Sequence, residues 1–262
     1  MLVPLLLGLA AAGEPVLQVD AAATVFDTGL ALFVRPGWRQ PLWDAEDSVL
    51  RTDTHLATGA LVQITPDFLR VGGELTLAPL AILDLKVHAS MANYFGNVHT
   101  LVGFDDKGDI YAPADRKPLE KHSGRSTRLG AMPVLKAKAG PVVVVFAAEQ
   151  QWINLSAEQV TEPYYFEPES QLLLALQDRV TQGTNLLAWD GDMGSWHVLA
   201  GILTTWRRAA ESGDSLLRTG PLIKASQSDN PLSYVLLVQP HLQDRVFDAT
   251  RPFVALQARY TR

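Results

Sequence analysis

The chain has 262 residues, of which 47% are hydrophobic and 19% charged, and it contains no cysteine. The missing thiols exclude disulfides, thiolate metal sites and cysteine nucleophiles. A formal net charge of −6 gives no basic surface that would favour nucleic acid.

The first 13 residues have the character of an export signal. Residues 2–12 form the apolar run LVPLLLGLAAA, in which Ala10 and Ala12 make an A-x-A cleavage pattern before Gly13. No Lys or Arg follows Met1, which indicates a truncated n-region. We expect residues 1–13 to be a signal peptide, and the alternative is that this run forms a buried first strand.

The rest of the chain consists of short segments in which apolar and polar residues alternate. The candidate strands are 16–25, 30–34, 54–65, 68–78, 81–94, 128–139, 142–153, 180–189, 195–207, 216–225, 233–243 and 253–260. If 16–25 and 30–34 are one interrupted strand, and 54–65 and 68–78 are another, the barrel has ten strands instead of twelve. Proline is disfavoured inside a central strand, so Pro66 favours twelve.

The segment between Ala81 and Tyr94 has the sharpest alternation. Successive strand residues point to opposite faces of a sheet, so this strand has one polar and one apolar wall. The polar wall carries Asp84, Lys86, His88 and Ser90, and the apolar wall carries Leu83, Leu85, Val87, Ala89 and Met91. Repeated over many strands, this pattern is typical of a transmembrane β-barrel with a polar lumen.

An aromatic girdle is predicted from the strand at 195–207. Trp196 and Trp206 share its apolar face and are separated by roughly 33 Å of strand at about 3.3 Å per residue. A strand tilt of about 40° reduces this to a height near 25 Å, the expected separation of the two girdles of an outer-membrane barrel. Tyr260 extends the girdle on the last strand.

Connections of two different lengths join these strands. Short turns are predicted at Pro66-Asp67, Ala78-Pro79, Gly140-Pro141, residues 191–194 and residues 228–231, and we assign them to the periplasmic side. Long polar loops at 95–127 and 154–177 are assigned to the extracellular side. The second loop contains Glu158, Glu162, Glu167 and Glu169 around Pro163-Tyr164-Tyr165-Phe166, which could bind an extracellular ligand or simply pack over the barrel mouth. The leucine-rich segment 170–179 could form a short helix.

Ionisable residues on the polar faces are the candidates for lining the lumen. They are Arg70, Glu74, Asp84, Lys86, His88, Lys136, Lys138 and Arg207. These side chains could line an aqueous channel, or they could pair across strands and fill a narrow barrel. Asp84 with Lys136 or Lys138 is the pair expected if their strands adjoin.

The sequence VHASMAN at His88 and Ser90 resembles the H-x-S element of outer-membrane phospholipase A, a twelve-stranded barrel. The resemblance implies a catalytic role for His88 and Ser90 in lipid hydrolysis. This chain departs from the family in two ways. Met91-Ala92 stands between Ser90 and Asn93, and the pair shares the polar rather than the lipid-facing wall.

The linear arrangement TPDF…LAPLAILDL…NYFGNVHTLVGF…ARYTR resembles uncharacterised outer-membrane barrel proteins of Gram-negative bacteria. The chain ends Tyr260-Thr261-Arg262, where many such barrels end on an aromatic residue.

We therefore expect residues 14–262 to form a single antiparallel transmembrane β-barrel, integral to the outer membrane after export through the periplasm. The expected function is non-enzymatic: a narrow, porin-like diffusion channel, or a structural and surface-interaction role. Lipid hydrolysis and a secreted soluble β-sandwich or lipocalin-like binder are the alternatives. Expected partners are outer-membrane lipid, the barrel-assembly machinery and small solutes or an extracellular ligand at the loops, with no metal, cofactor or nucleic acid.

Overall fold

The structure is a computed structural model in which residues 14–25, 29–43, 50, 53–96, 101–109, 111–156, 161–227, 230–245 and 251–262 are described. The predicted signal peptide, residues 1–13, and Glu158 of the acidic loop lie outside the described residues. Within the described ranges, no helix has the length and apolar character needed to cross a membrane.

Twelve antiparallel strands form one barrel, and pairing of the last strand with the first closes the ring. The wall strands are β1 (Glu14–Val25), β2 (Gly29–Pro41), β3 (His55–Ile64), β4 (Phe68–Leu80), β5 (Leu83–Phe95), β7 (Ser123–Ala139), β8 (Val142–Ser156), β11 (Gln177–Met193), β12 (Trp196–Ala209), β13 (Ser215–Gln227), β14 (Leu232–Gln239) and β16 (Phe253–Thr261). The shorter elements β6 (Gly103–Phe104), α1 (Pro113–Arg116), β9 (Tyr164–Glu167), β10 (Leu172–Ala175) and β15 (His241–Gln243) lie in the connections.

The prediction of twelve strands is confirmed, and the ten-strand alternative is wrong because the chain reverses at both disputed places. β1 and β2 are antiparallel partners, and so are β3 and β4. At the second reversal, Thr65 Oγ1 accepts hydrogen bonds from the backbone N–H groups of Asp67 and Phe68 at 3.2 and 3.0 Å. This bonding makes a local turn in which Pro66 need not donate a hydrogen bond.

The two ends of the barrel differ in the length of their connections. The start of β1, the end of β16 and the two-residue turns at 81–82, 140–141 and 194–195 lie at one end. Gly140 and Gly194 begin two of these turns with φ of 57° and 66°, a conformation that glycine adopts without a steric penalty. The long connections, residues 96–122 and 157–176, lie at the other end, which is extracellular.

Two predicted periplasmic turns were placed wrongly. The turn at Pro66-Asp67 lies at the extracellular end, because β3, the strand before it, runs from the periplasmic to the extracellular end. Ala78-Pro79 lies within β4, and the true turn follows at residues 81–82. The pairing of β4 with β5 shifts register there, and such a bulge tolerates a residue that lacks an N–H donor.

The outer surface of the barrel is apolar. Exposed outward-facing side chains include Leu129 at 54%, Leu187 at 59%, Ile202 at 51% and Leu256 at 57%. In a closed barrel every backbone group of the wall is paired, so this band can face hydrocarbon. The soluble-sandwich alternative is wrong, because it requires Trp196 and Ile202 in a protein core and both are exposed.

Aromatic side chains lie toward both ends of the outer face. Trp196 begins β12 at the periplasmic end, Tyr260 is near the periplasmic end of β16, and Trp206 is near the extracellular end of β12. Other aromatic residues near the two ends of the wall, which sequence reasoning did not single out, are Trp38, Trp189 and Tyr234 on the periplasmic side and Trp152 on the extracellular side.

Candidate functional site

A small folded unit from the long loops occupies the extracellular end of the barrel. β10, β9 and β6 form a three-stranded antiparallel sheet, which together with α1 we call the plug. Leu172, Leu173 and Leu174 of the plug are completely buried. The prediction of a helix at 170–179 is wrong: a strand can bury alternate leucines on two opposite faces, and the plug provides both.

The two faces of the plug sheet have different neighbours. One face packs against the inner side of the barrel wall in an apolar cluster that contains Leu101, Tyr165, Leu172 and Leu174 from the plug loops and Phe68, Ala92, Tyr94, Ile153, Leu155, Val180, Ala209 and Leu216 from the wall or its rim. The opposite face forms a second cluster from Val102, Phe104, Tyr111, Phe166 and Leu173. The extracellular part of the lumen is therefore a hydrophobic core and not open water.

A completely buried carboxylate connects the plug to the wall. Glu167, at the end of β9, forms an ion pair with Arg128 of β7, with 2.8 Å between Oε1 and Nη2. The hydroxyl of Tyr94 donates to the same carboxylate oxygen at 3.2 Å, and Arg128 donates to that hydroxyl at 2.9 Å. The backbone N–H of Ser170 donates to Oε2 at 2.6 Å. Glu167 is thus bonded at both oxygens.

Two more arginines hold the segment that follows Glu167. Arg70 Nη1 donates to Glu169 Oε1 at 2.6 Å, and Arg128 Nη1 donates to Oε2 at 2.9 Å. Arg207 Nη1 donates to the carbonyl oxygens of Glu169 and Ser170, both at 2.8 Å. Three wall arginines on β4, β7 and β12 therefore fix residues 167–170.

The environment of Glu167 favours its ionised form. Burial by itself raises the pKa of this carboxyl, but the charge of Arg128, the N–H of Ser170 and the charge of Arg70 outweigh burial. The net result is a pKa below the usual value for glutamate. The plug is therefore held by a charge that acid would remove.

A second contact joins the plug to the connection between β12 and β13. Asp214 accepts hydrogen bonds from the Tyr111 hydroxyl and, at 2.8 Å, from the backbone N–H of Leu173. Ser212 Oγ donates to the Leu173 carbonyl at 2.5 Å. Burial, followed by the negative charge of Asp214, raises the pKa of Tyr111 above its usual value, so this tyrosine remains a donor.

Below the plug, the lumen wall carries a polar group centred on Glu149 of β8. His88 Nε2 is 2.5 Å from Glu149 Oε1. Gln151 and Gln182 donate to the two oxygens of Glu149 at 2.8 and 2.7 Å. The imidazole reaches across β7 because the residue between the two side chains is Gly130.

His88 and Ser90, which resemble a phospholipase dyad, do not form a hydrogen bond with each other. The imidazole of His88 turns its Nε2 to Glu149, and neither His88 Nδ1 nor Ser90 Oγ has a hydrogen-bond partner among the described residues. Both atoms are buried. The arrangement therefore lacks the base-to-nucleophile hydrogen bond that activates a serine.

The periplasmic half of the lumen contains the remaining predicted charges. Lys136 pairs with Asp84 at 2.8 Å across β5 and β7, as the sequence led us to expect. Lys138 pairs instead with Asp190 at 2.6 Å. Glu74 lies in a lumenal cavity of about 300 Å³ near Arg35 and Arg39, and Lys86 lies half-buried on the inner face of β5. In the described part of the chain, no three His, Asp or Glu side chains come together as a metal site.

Beside the plug, the lumen retains a cavity of about 340 Å³. It lies between the plug and the inner faces of β1, β2, β13, β14 and β16. Its lining combines aromatic rings with a few polar groups, including Phe33, Phe166, Phe253, Thr205, Arg207 and Gln239.

Several residues of this site were missed by sequence reasoning. Arg128 and Tyr94 lie on the inner faces of predicted strands, so the alternation could have identified them as lumenal. Glu149 and Gln182 follow the same rule on β8 and β11. The inward folding of the Glu167 loop had no local signal, because an acidic loop resembles any solvated surface loop.

No family model matches this chain, and no curated protein matches it either. Solved structures do match. The β domain of the Bordetella autotransporter BrkA superposes with a TM-score of 0.55 at 12% identity, over 95% of this chain and 99% of that one.

Two other outer-membrane proteins are similar at lower TM-scores. The translocator domain of the autotransporter NalP from Neisseria meningitidis has a TM-score of 0.47 at 10% identity, over 99% of this chain and 91% of that one. LpxR from Salmonella typhimurium has a TM-score of 0.45 at 11% identity, over 94% and 99%. At these identities the likeness concerns the fold alone. The closed twelve-stranded ring, its apolar outer band and the likeness in fold to the BrkA β domain together identify the chain as an integral outer-membrane β-barrel.

Proposed function

We propose that this barrel is a non-enzymatic, narrow diffusion channel that is closed at rest by the plug. The observation that carries the proposal is the buried ion pair between Glu167 and Arg128, which fastens the plug to the wall at the extracellular end. A channel of this kind conducts small solutes only when the plug is released.

The nature of the anchor supports a releasable closure. Replacing a buried ion pair by well-packed apolar residues is often neutral or stabilising, so such pairs are weak evidence for stability alone. Removing one partner, in contrast, leaves an unpaired buried charge and destabilises by about 3–5 kcal/mol. A single charge change can therefore break this polar anchor of the plug.

The lumen around the plug supports the same proposal. Cavities of about 340 and 300 Å³ remain inside the wall, one beside the plug and one in the periplasmic half. Both include polar side chains, and the second contains Arg35, Arg39 and Glu74. A barrel with a purely structural role would gain more stability from a packed apolar interior.

Planar-bilayer conductance of the refolded barrel tests the proposal, with insertion checked by heat-modifiable gel mobility. We expect the unmodified chain to be mostly silent, and Arg128→Met to give frequent, discrete conductance steps. Glu169→Gln, which weakens the anchor less, should give intermediate opening.

Lys138→Met is the matched control, since it also removes a paired lumenal cation but lies at the periplasmic end. It should be as silent as the unmodified chain. If Arg128→Met and Glu169→Gln insert fully and remain silent, the channel proposal fails, and a structural or surface-interaction role takes its place.

A further inference from the structure

The cavity of about 340 Å³ beside the plug has the composition of a ligand site. Phe33, Phe166 and Phe253 contribute apolar surface, while Arg207 and Gln239 contribute hydrogen-bonding groups. Small-molecule sites are typically concave and mainly apolar, with few polar groups that fix orientation, and begin at about 300 Å³. The space corresponds to about ten water molecules at ~30 Å³ each.

Arg207 differs from the other arginines of this part of the lumen. Arg70 and Arg128 each pair with a plug glutamate, and Arg218 has Asp244 within 3.7 Å. Arg116, which also lines the cavity, lies over the Phe166 ring at 3.7 Å. Among the described residues, Arg207 forms no ion pair, and its hydrogen bonds use only Nη1, toward two backbone carbonyls. The carboxylates that act on its charge, Glu167 and Glu149, do not line the cavity, so Nε and Nη2 of Arg207 can donate to a molecule bound there.

Two other polar groups at the cavity are already engaged. Gln239 is almost completely buried, and its Nε2 donates to the Leu203 carbonyl at 2.8 Å. Glu169 also lines the cavity, but its carboxylate is bound by Arg70 and Arg128. The lining carries Arg116, Arg207 and Arg218 against Asp67 and Glu169, so it is basic on balance and favours an anion.

We propose that this cavity binds an amphipathic monocarboxylate: a compact aromatic or aliphatic body with one carboxylate directed at Arg207. The aromatic side chains would enclose the apolar body, and a charge-assisted hydrogen bond to Arg207 would hold the anion. The inference deepens the proposed channel by naming its solute class, but it concerns binding, which is measured separately from conductance.

Isothermal titration of the full chain in a non-ionic detergent tests this with 3-phenylpropionate as the probe. Its uncharged amide, 3-phenylpropionamide, has nearly the same shape. We expect the acid to bind at least about tenfold more tightly than the amide, as one charge-assisted hydrogen bond provides. Arg207→Gln should abolish this preference, while Lys86→Gln, a lumenal cation that does not line the cavity, should keep it.

A second variant does not touch the plug anchors. Ala31→Phe fills the cavity from β2 and should abolish binding of both molecules. Absence of saturable binding, equal affinity for acid and amide, or unchanged binding in Ala31→Phe would each overturn the proposal. If the barrel binds the acid but shows no conductance, only the channel proposal fails. If it conducts but does not bind the acid, only the present inference fails.

Discussion

His88 and Glu149 meet across an intervening strand, with 2.5 Å between Nε2 and Oε1, because Gly130 on β7 leaves the space between them empty. A Cβ atom at Gly130 would lie 2.1 Å from His88 Nε2 and 2.7 Å from Glu149 Oε1. The contact thus depends on a residue that takes no part in it.

Gly130→Ala should therefore destabilise the barrel, by about 1–3 kcal/mol, because the added methyl group forces the imidazole away from its partner. Urea unfolding from lipid vesicles, followed by tryptophan fluorescence, measures the change. Gly73→Ala is the matched control, since a Cβ there would have only ordinary contact, with the Gly59 carbonyl at 3.7 Å. Equal stability of the two variants would contradict the packing described for Gly130.

Acid should release the plug. The pKa of Glu167 is lowered in the folded protein from 4.5, so the stability that its charge provides is fully present above pH 4.5. It is lost as the pH falls below that value and through the lower folded pKa. We expect conductance, and protease cleavage of the plug loops, to increase only in this acidic range.

Glu167→Gln should remove this acid-dependent step by releasing the plug at neutral pH as well. Asp105→Asn, which changes an exposed carboxylate of the other long loop, should leave the step unchanged. An acid step that persists in Glu167→Gln would assign it to another group.

Ser90→Ala should leave any lipid-hydrolase activity of the preparation unchanged. Ser90 Oγ is buried and has no hydrogen bond with a described residue, and His88 is engaged by Glu149. Release of fatty acid from phospholipid vesicles, compared with a mock preparation, measures this. Loss of a clear activity in Ser90→Ala would restore the enzyme hypothesis.

Leu256→Lys should destabilise the inserted barrel by about 2–4 kcal/mol, because the residue points outward near the middle of β16, where lipid is expected. Leu242→Lys places the same charge at a residue of similar exposure in the extracellular β15. It should have little effect. Equal unfolding free energies in vesicles would argue against the membrane position of β16.

The barrel could be predicted from sequence because the alternation of polar and apolar residues is a property of each strand by itself. Alternation on strands such as β5 and β12 assigns each residue to a face, and Pro66 separates two strands. The outward placement of Trp196 and Trp206 and the Asp84–Lys136 pair follow from the same two-residue period and strand adjacency.

The plug could not be predicted in this way, because its position depends on contacts between distant segments. Glu167 ends β9 in a long loop and Arg128 lies on the wall strand β7, and the sequence around neither residue indicates that they form an ion pair. Leu172–Leu174 have no alternation, since both faces of β10 are buried, so their pattern is equally compatible with a helix. Tertiary burial, not local propensity, determined that segment.

The plug also bears on the order of assembly. Its elements, together with the wall from β5 to β11, come from one continuous stretch of chain, while the seam between β1 and β16 joins residues from opposite ends. Closing a loop becomes entropically more costly as it lengthens. The plug can therefore pack against β5 to β11 while the sheet is still open along one edge, and the ring then closes around an interior that is already filled.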